Sequence, residues 1–422
     1  MMEVEPAERT GNATAAVPVP ARGALRRARY AVMAMFFTWG MVYATWGLQI
    51  PSVERKFALS PGWLSLALFA VAGGSILALT RVGPWVARVG SRTACRVGGV
   101  MIGVCAALIM LPPTYPLLLA VLVLYGVGNA IFDVALNDEG SVIEAAFARP
   151  VMSSLHGMFS AGGMAGAALG GELLARGMSS ALHLGLAGVL LVTVSLAASR
   201  ALLATPADAH DAPAALDSAS GATNIATQAD SSGRRAHLLL WALGIVALIA
   251  LIAEGAMYDW SAVYLRDVIH ADPRVTGLAY ATFSGGMALG RFCGDWLRAH
   301  SGRGRLIGAS GVFAAIGMSA ALLVREPAVV LIGFGMMGLG LANMIPLLFG
   351  AAATIDGVPR AVGIARVAGV AYVGLLIGPV LIGLAAQVFG LPSALALVAV
   401  CALTVAAGAP RILRASAPLP GR

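Results

Sequence analysis

The sequence predicts an all-α integral membrane protein whose twelve transmembrane helices form two parallel-repeat six-helix bundles. Three observations predict this fold class. Of the 422 residues, 59% are hydrophobic and only 11% are charged, whereas soluble domains carry about 25% charged residues. Apolar stretches of about 20 residues, the length that crosses a bilayer, recur twelve times along the chain. Residues of the first half also recur in the second half at one constant offset.

The apolar stretches are separated by short loops and by one long polar segment. That segment, 205–236, is rich in Asp, Ala, Ser and Thr, and we interpret it as a cytoplasmic linker between bundles at 30–204 and 237–410. Residues 1–29 are predicted to be a disordered cytoplasmic tail, and 411–422 a second tail. The predicted spans are 30–50, 62–81, 95–112, 116–138, 151–174, 182–203, 237–258, 275–296, 306–324, 327–350, 361–385 and 392–410.

The offset between the halves is 212 residues. It carries Gly73-Gly74 to Gly285-Gly286 and also relates the glycines of the fourth and fifth spans to those of the tenth and eleventh. Six spans per repeat is an even number, so both halves enter the membrane from the same side, which makes them parallel repeats. The paired glycines are Gly126/Gly338, Gly128/Gly340, Gly157/Gly369, Gly162/Gly374, Gly166/Gly378 and Gly171/Gly383.

The arginines predict the orientation. Lys and Arg are enriched in short cytoplasmic loops, and two equivalent loops of this chain are strongly basic. Both termini are therefore predicted to be cytoplasmic, in a multi-pass protein of a bacterial inner (plasma) membrane. The loop arginines are Arg81, Arg88, Arg92 and Arg96 in the first half, and Arg298, Arg303 and Arg305 in the second.

Several function classes are excluded by composition and by absent motifs. The net charge of +8 does not indicate nucleic-acid binding in a chain this apolar. The sequence has no GxxxxGK[ST] run for ATP and no HExxH metal motif, so we expect no enzyme, no cofactor and no bound metal. An intramembrane enzyme or a sensor remains only a remote alternative, since a sensor would normally carry a soluble output domain. The four cysteines are interpreted as buried free thiols.

The fourth span offers the first candidate site. Asn129, Asp133 and Asn137 follow one another at four-residue intervals and share a helical face. Asp133 lies about 25 Å along its span, in the cytoplasmic third, and His156 lies at a similar depth in the fifth span. This carboxylate and histidine are candidates to share a transported proton. They also fit a static hydrogen-bonded pair.

Charged residues inside spans are functional candidates by default. Glu254 lies about 25 Å into the seventh span, deep on the periplasmic side, and its helix holds no nearby cation. It is the best single candidate for coupling or substrate contact. Asp259 is expected nearer the surface, where it caps the helix or pairs with Arg266. Arg366 either extends to the headgroups or forms a gate contact with an acid such as Asp133.

An aromatic stripe marks the first span. Phe36, Trp39, Tyr43 and Trp46 follow at helical spacing, and such a face stacks on sugar rings or flat cations or simply packs against another helix. Trp46 and Trp260 also fit a periplasmic aromatic belt.

Polar and small residues elsewhere receive mostly structural interpretations. In the tenth span, Asn343 is a candidate for the cavity wall and Pro346 for a bend. Glu139 and Glu144 are expected at headgroup level, in a structural role with Arg149. The glycines of the fifth and eleventh spans are interpreted as surfaces for close helix packing.

The loop between spans two and three resembles a known signature. The stretch from Gly83 through Arg88 and Gly90 to Arg92 is similar to the loop motif of major facilitator transporters, with Ala87 in place of the acid that helps to latch the two halves in that family. Its counterpart in the second half keeps Arg291 and Asp295, four residues apart on one helical face, as a candidate ion pair.

Two further blocks narrow the resemblance. The run 133–140 followed by 156–160, together with the run 254–261, is similar to a bacterial inner-membrane branch near the fucose-permease-like transporters, whose substrates are largely unassigned. The resemblance implies the major facilitator fold over about residues 30–410. It also implies a cavity lined by spans one, four, seven and ten, and a monomer.

The predicted function is therefore secondary active transport of a small organic solute by alternating access across the lipid bilayer. A small-molecule substrate and H⁺ as coupling ion are the expected partners, because Asp133, His156, Glu254 and Asp259 can carry protons. Efflux of a drug or metabolite by proton antiport is the alternative to uptake of a sugar-like solute.

Overall fold

The computed structural model describes residues 22–147, 151–203, 231–358 and 360–416. Nine of the helical spans within these ranges are long and apolar enough to cross a membrane. The other three spans, α3, α5 and α8 below, hold more glycine and polar residues. The helices are α1 (Arg22–Phe57), α2 (Pro61–Val89), α3 (Ser91–Leu108), α4 (Tyr115–Phe147), α5 (Met152–Ala175), α6 (Ser180–Ala198), α7 (Ser231–Asp267), α8 (Pro273–Ser301), α9 (Arg303–Val324), α10 (Pro327–Leu341), α11 (Met344–Ala352), α12 (Arg360–Phe389) and α13 (Leu391–Ala415).

These helices form the twelve predicted spans, with α10 and α11 together making the tenth. Consecutive spans are antiparallel, so α1 begins and α13 ends on one face of the bundle, which we call the terminal face; the other is the distal face. The predicted tail and linker lie almost wholly outside the described residues. Several helices are longer than their apolar stretch, because flanking residues such as Leu25 and Ala28 pack inside the protein.

The break in the tenth span has a local cause. Pro346 has no amide hydrogen to donate to the carbonyl of Ala342, four residues earlier, and proline interrupts helices in this way. Helix α10 accordingly ends at Leu341 and α11 begins at Met344. The predicted bend is thus present, one turn before the proline. Asn343, at the break, is buried and donates from Nδ2 to the carbonyl of Gly290 on α8 at 2.9 Å, so it fastens two helices together.

The repeat is visible in atomic contacts. Helices α2 and α8 begin and end 212 residues apart, and the glycines that follow them, Gly90 and Gly302, both have left-handed φ values of 79° and 72°. A Cβ placed on Gly74 would lie 2.0 Å from the carbonyl oxygen of Val123, and one on Gly286 would lie 2.2 Å from that of Gly335. Both members of each contact are shifted by the same offset, so the two halves pack their helices identically.

The predicted packing role of the glycines in α5 and α12 matches their contacts. A Cβ on Gly162 would lie 1.9 Å from the carbonyl oxygen of Phe37 on α1, and one on Gly374 would lie 2.1 Å from that of Leu248 on α7. Small residues allow such close approach in membranes, where no hydrophobic force drives helices together.

The two halves meet through three pairs of helices: α5 with α8, α2 with α12, and α1 with α7. The first two pairs are equivalent under the repeat. At the α5–α8 contact, a Cβ on Gly277 would lie 2.6 Å from the Cα of Gly171, so the backbones of the two halves touch. The candidate residues described below lie along this interface.

We predict that Gly374→Ala destabilises the protein, because the added methyl group forces α7 and α12 apart. Overpacking of this kind costs about 1–3 kcal/mol and should lower the melting temperature of the purified protein. Gly369→Ala, on the same helix, is the matched control, since a Cβ there meets nothing within 4 Å. Alanine also favours a helix over glycine by about 1 kcal/mol, so the control should melt at the same temperature or higher. Equal melting temperatures for both variants would contradict the close contact.

Candidate functional site

A hydrogen-bonded chain joins three predicted residues near the terminal face. The Asn137 amide nitrogen donates to the Asp133 carboxylate at 2.7 Å and to the Asp133 carbonyl at 2.9 Å, so the amide oxygen must point the other way. That oxygen lies 3.2 Å from Nε2 of His156 and can only accept, which places the imidazole proton on Nε2. Asp133 and His156 are therefore linked, as expected, but through Asn137 rather than directly.

A second polar group centres on Arg291 of α8. One guanidinium nitrogen lies 3.2 Å from the Glu254 carboxylate of α7, and the other donates to the Ser160 hydroxyl at 2.6 Å and to the His156 carbonyl at 3.4 Å, both on α5. In return, Ser153 donates to the Arg291 carbonyl at 3.1 Å. Arg291 thus bonds to both halves of the protein at once.

This arrangement corrects two expectations. Glu254 is not unpaired, because its cation comes from the neighbouring helix rather than from its own. It is also not deep on the periplasmic side: α7 continues to Asp267, which leaves Glu254 about 20 Å from that end of the helix at 1.5 Å per residue. Arg291 does not need Asp295 as a partner, and the Asp295 side chain lies outside the described part of the structure.

Tyr372 of α12 is a residue that sequence analysis missed. Its hydroxyl lies within electrostatic range of Asp133 in the opposite half and of Glu254 on α7, and its side chain is 40% exposed. A residue so placed faces the space between the halves. Nothing in the sequence distinguishes this tyrosine from one that faces lipid.

A layer of tyrosines lies nearer the distal face. The Tyr258 ring of α7 contacts Tyr43 of α1 and Tyr280 of α8, with centroids 5.9 and 5.3 Å away, so this cluster also spans the two halves. Of the predicted aromatic stripe, Tyr43 is the member that reaches the other half. Trp39 instead packs within its own half, where its indole N–H donates to Asn129 Oδ1 at 2.7 Å.

The aromatic-belt interpretation of two tryptophans is wrong. Trp46 is 2% exposed and Trp260 1% exposed, and the Trp260 indole donates to the Pro379 carbonyl on α12 at 3.0 Å, so neither faces lipid. The tryptophans on the outer surface are Trp63, Trp241 and Trp296.

Asp259 differs from the expected surface residue. It is 8% exposed, and no described residue forms a hydrogen bond or ion pair with its carboxylate. Arg266, the expected partner, is bound instead by Glu54 of α1 and by Asp267. Asp259 lies within electrostatic range of Tyr43, Tyr125 and Tyr280, and so it belongs to the tyrosine layer.

Two ion pairs join the halves at the distal face. Glu54 of α1 binds Arg266 of α7, with both side chains under 20% exposed, and Glu172 of α5 binds Arg274 of α8 at 3.0 Å. Positions 54 and 266 are 212 residues apart, so they are equivalent positions of the repeat. Every ion pair between the halves whose two partners are described lies on this face.

The signature between α2 and α3 is fastened to its own half. Gly83 to Val89 belong to α2, which leaves Gly90 as the turn. Arg88 donates to the Pro84 carbonyl at 3.2 Å, and Arg92 to the Leu202 carbonyl at 2.5 Å. With Ala87 in place of an acid, these described contacts hold the segment to the first half alone.

The remaining predicted residues are structural or uncommitted. Glu139 accepts from the Leu203 amide at 2.6 Å, and Glu144 accepts from the amides of Val151 and Met152 at the start of α5. Glu144 thus caps a helix; its expected partner Arg149 lies outside the described residues. Arg366 is half-buried, and within the described ranges it forms no ion pair with Asp133 or any other acid.

The architecture and this inter-half polar interface define a membrane transporter built from two six-helix bundles. Residues 2–138 match the model of the Major Facilitator Superfamily. An uncharacterized MFS-type transporter of Yersinia pestis is 31% identical over 379 residues, covering 90% of this chain and 94% of that protein. The membrane protein MosC of Rhizobium meliloti is 30% identical and covers 83% and 81%, respectively. The chain belongs to the major facilitator superfamily, whose members are transporters and not enzymes.

Solved structures agree with the fold. A bacterial homolog of the human lysosomal transporter Spinster, in an inward-facing and occupied conformation, superposes with a TM-score of 0.74 at 13% identity, over 95% of this chain and 100% of that one. A D-xylose-proton symporter gives 0.67 at 12% identity, over 91% and 96%. At these identities the likeness shows the fold alone, and the fucose-permease-like branch stays a prediction.

We predict that the Glu54–Arg266 pair stabilises the closed distal face. In a double-mutant cycle of Glu54→Gln and Arg266→Gln, thermal unfolding should give a coupling of about 1–3 kcal/mol, within the range for contacting residues. The same cycle on Glu172 and Arg274 is the control: their side chains are 37% and 60% exposed, and such pairs contribute less than about 1 kcal/mol. A coupling for the first pair no larger than for the second would contradict the prediction.

Proposed function

We propose that this protein is a proton-coupled secondary transporter that moves a small organic solute by alternating access between its two halves. The family and fold support transport. Proton coupling, the solute and the direction are the parts proposed here. We also propose a monomer in a bacterial inner membrane with both termini cytoplasmic, for which the basic loops of the terminal face are the support.

The observation that carries the proposal is the double role of Arg291. It forms an ion pair with Glu254 in its own half and hydrogen bonds to Ser160 and the His156 carbonyl in the other half. A proton on Glu254 removes the negative charge and with it the ion pair. The guanidinium then redistributes towards other acceptors, so the charge state of one carboxyl alters a contact that crosses the interface.

The Asp133–Asn137–His156 chain supplies a second proton carrier beside the first. The Nε2–H of His156 is held by Asn137, while its carbonyl accepts from Arg291. The histidine therefore connects the two polar groups. No described cation pairs with Asp133, so this carboxyl can exchange a proton without breaking an ion pair. Both groups lie between the halves, where alternating access exposes them to each side in turn.

Coupling is best tested in proteoliposomes that contain a pH-sensitive dye. Sugars, amino acids, organic acids and amines are added outside in turn, first without and then with a sodium gradient. A transported solute should change the internal pH in the wild type. Acidification indicates symport with uptake, and alkalinisation indicates antiport. Solute movement that follows the sodium gradient and leaves the dye unchanged would overturn proton coupling.

We predict that Glu254→Gln lowers the initial rate of solute-driven proton movement at least tenfold, because the amide cannot carry the proton and loses the ion pair with Arg291. Glu326→Gln is the matched control, since Glu326 is exposed at the start of α10 and should leave the rate unchanged. If Glu254→Gln retained the wild-type rate, the coupling role would have to move to Asp133 and His156.

A further inference from the structure

The middle of α7 carries two buried carboxylates with different surroundings. Glu254 is matched by Arg291 at 3.2 Å. Asp259, little more than one turn further, is equally buried at 8% exposed but receives no hydrogen bond and no cation from any residue in the described ranges. A buried carboxylate without a countercharge is costly, so the surroundings of Asp259 suit a positively charged guest better than those of Glu254.

Aromatic rings from both halves surround this position. Tyr43 comes from the first half, Tyr258 precedes Asp259 on α7, and Tyr280 belongs to α8. Their centroids lie 5.3–5.9 Å apart, and Phe283 lies 5.1 Å from Tyr258. Ammonium groups bind to aromatic faces of this kind and form strong charge-assisted hydrogen bonds with carboxylates.

Unpartnered polar atoms lie beside the carboxylate. Within the described residues, the buried hydroxyls of Tyr125, Tyr258 and Tyr280 form no hydrogen bond, and the first and third of these lie within electrostatic range of Asp259. Asn129 Nδ2, one turn after Tyr125, is likewise unpartnered. Buried polar groups are normally hydrogen-bonded, so these atoms suit a ligand that itself carries hydroxyl groups.

The same features exclude other solutes. An anion would meet the uncompensated carboxylate, since the nearest described guanidinium group is already bound to Glu254. A purely apolar solute would leave the tyrosine hydroxyls and the Asn129 amide without partners, which costs binding free energy for each group. The site therefore favours a small cation with hydrogen-bonding groups.

We propose that the transported solute is a small hydroxylated amine, bound as its ammonium form by Asp259 within the tyrosine layer. This inference rests on the proposed transport function and specifies its substrate class. It also separates two tasks on one helix: Asp259 binds the solute, and Glu254 couples its movement to protons. Because Tyr43 and Tyr125 belong to the first half and Tyr258 and Tyr280 to the second, the bound amine contacts both moving parts.

The test uses two matched triads whose members differ in charge but share a body: glucosamine, glucose and glucuronate; and tyramine, tyrosol and 4-hydroxyphenylacetate. The melting temperature of the purified full-length protein is measured with each compound, because a ligand that binds the native state raises it. In at least one triad only the cation should raise it. Asp259→Asn should weaken that cation at least tenfold, and Glu254→Gln should leave its half-saturating concentration within about threefold of wild type, since Glu254 serves coupling rather than binding.

Two further variants keep the test decisive if Asp259→Asn does not fold. Asp259→Glu keeps the charge and should retain the preference for the cation. Tyr280→Phe keeps the ring but removes one hydroxyl, and should weaken the cation severalfold. Stabilisation by the neutral or anionic member as strong as by the cation would overturn the proposal. So would stabilisation by none of the six compounds, or by sodium alone in a manner that depends on Asp259.

Failure here is distinguishable from failure of the coupling proposal. Binding is measured in detergent without any gradient, so a preference for cations can hold even if Glu254→Gln leaves proton movement unchanged. Conversely, a neutral solute that moves protons in proteoliposomes would retain the transport proposal and refute only the amine.

Discussion

The structure depends on helix backbones that touch. In a bilayer, lipid is as apolar as a leucine side chain, so helices associate by close packing rather than by the hydrophobic effect. Here the contact is made through glycine: Gly162 against the Phe37 carbonyl, and Gly374 against the Leu248 carbonyl. Because the same contacts recur at nearly one offset, each half holds its helices in the same arrangement. That arrangement leaves α1, α2 and α5, and their equivalents α7, α8 and α12, free to face the other half.

The scaffold is symmetric but its chemistry is not. The positions that pair with the five charged or titratable residues of the interface hold small or aliphatic residues. Gly47, the equivalent of Asp259, shows one benefit: a Cβ there would lie 3.0 Å from the Tyr280 ring, so its absence leaves room for the tyrosine layer. Function therefore resides in departures from the repeat. The pairs are Asp133/Ile345, His156/Ala368, Glu254/Val42, Asp259/Gly47 and Arg291/Leu79.

How much the sequence predicts follows from the range of each interaction. Spans, repeat and packing glycines follow from local composition and from one offset, and the structure agrees with them. The partner of Glu254 was missed because sequence spacing indicates neighbours on one helix, whereas Arg291 reaches it from another. The depth of Asp259 was missed because α7 continues past its apolar stretch into residues that the first half buries. Asn137 was recognised as a candidate, but its place between Asp133 and His156 depends on the packing of α4 against α5.

The ion pair of Glu54 with Arg266 has an evolutionary consequence. These are the same position in the two repeats, and they touch because they lie near the axis that relates the halves. In an ancestral homodimer of identical six-helix chains, that position would have faced its own copy, with like charges opposed across the axis. An acid and a base can meet there only when the two copies are encoded separately. The distal ion pair is therefore an interaction that became available only after duplication, once the fused halves were free to diverge.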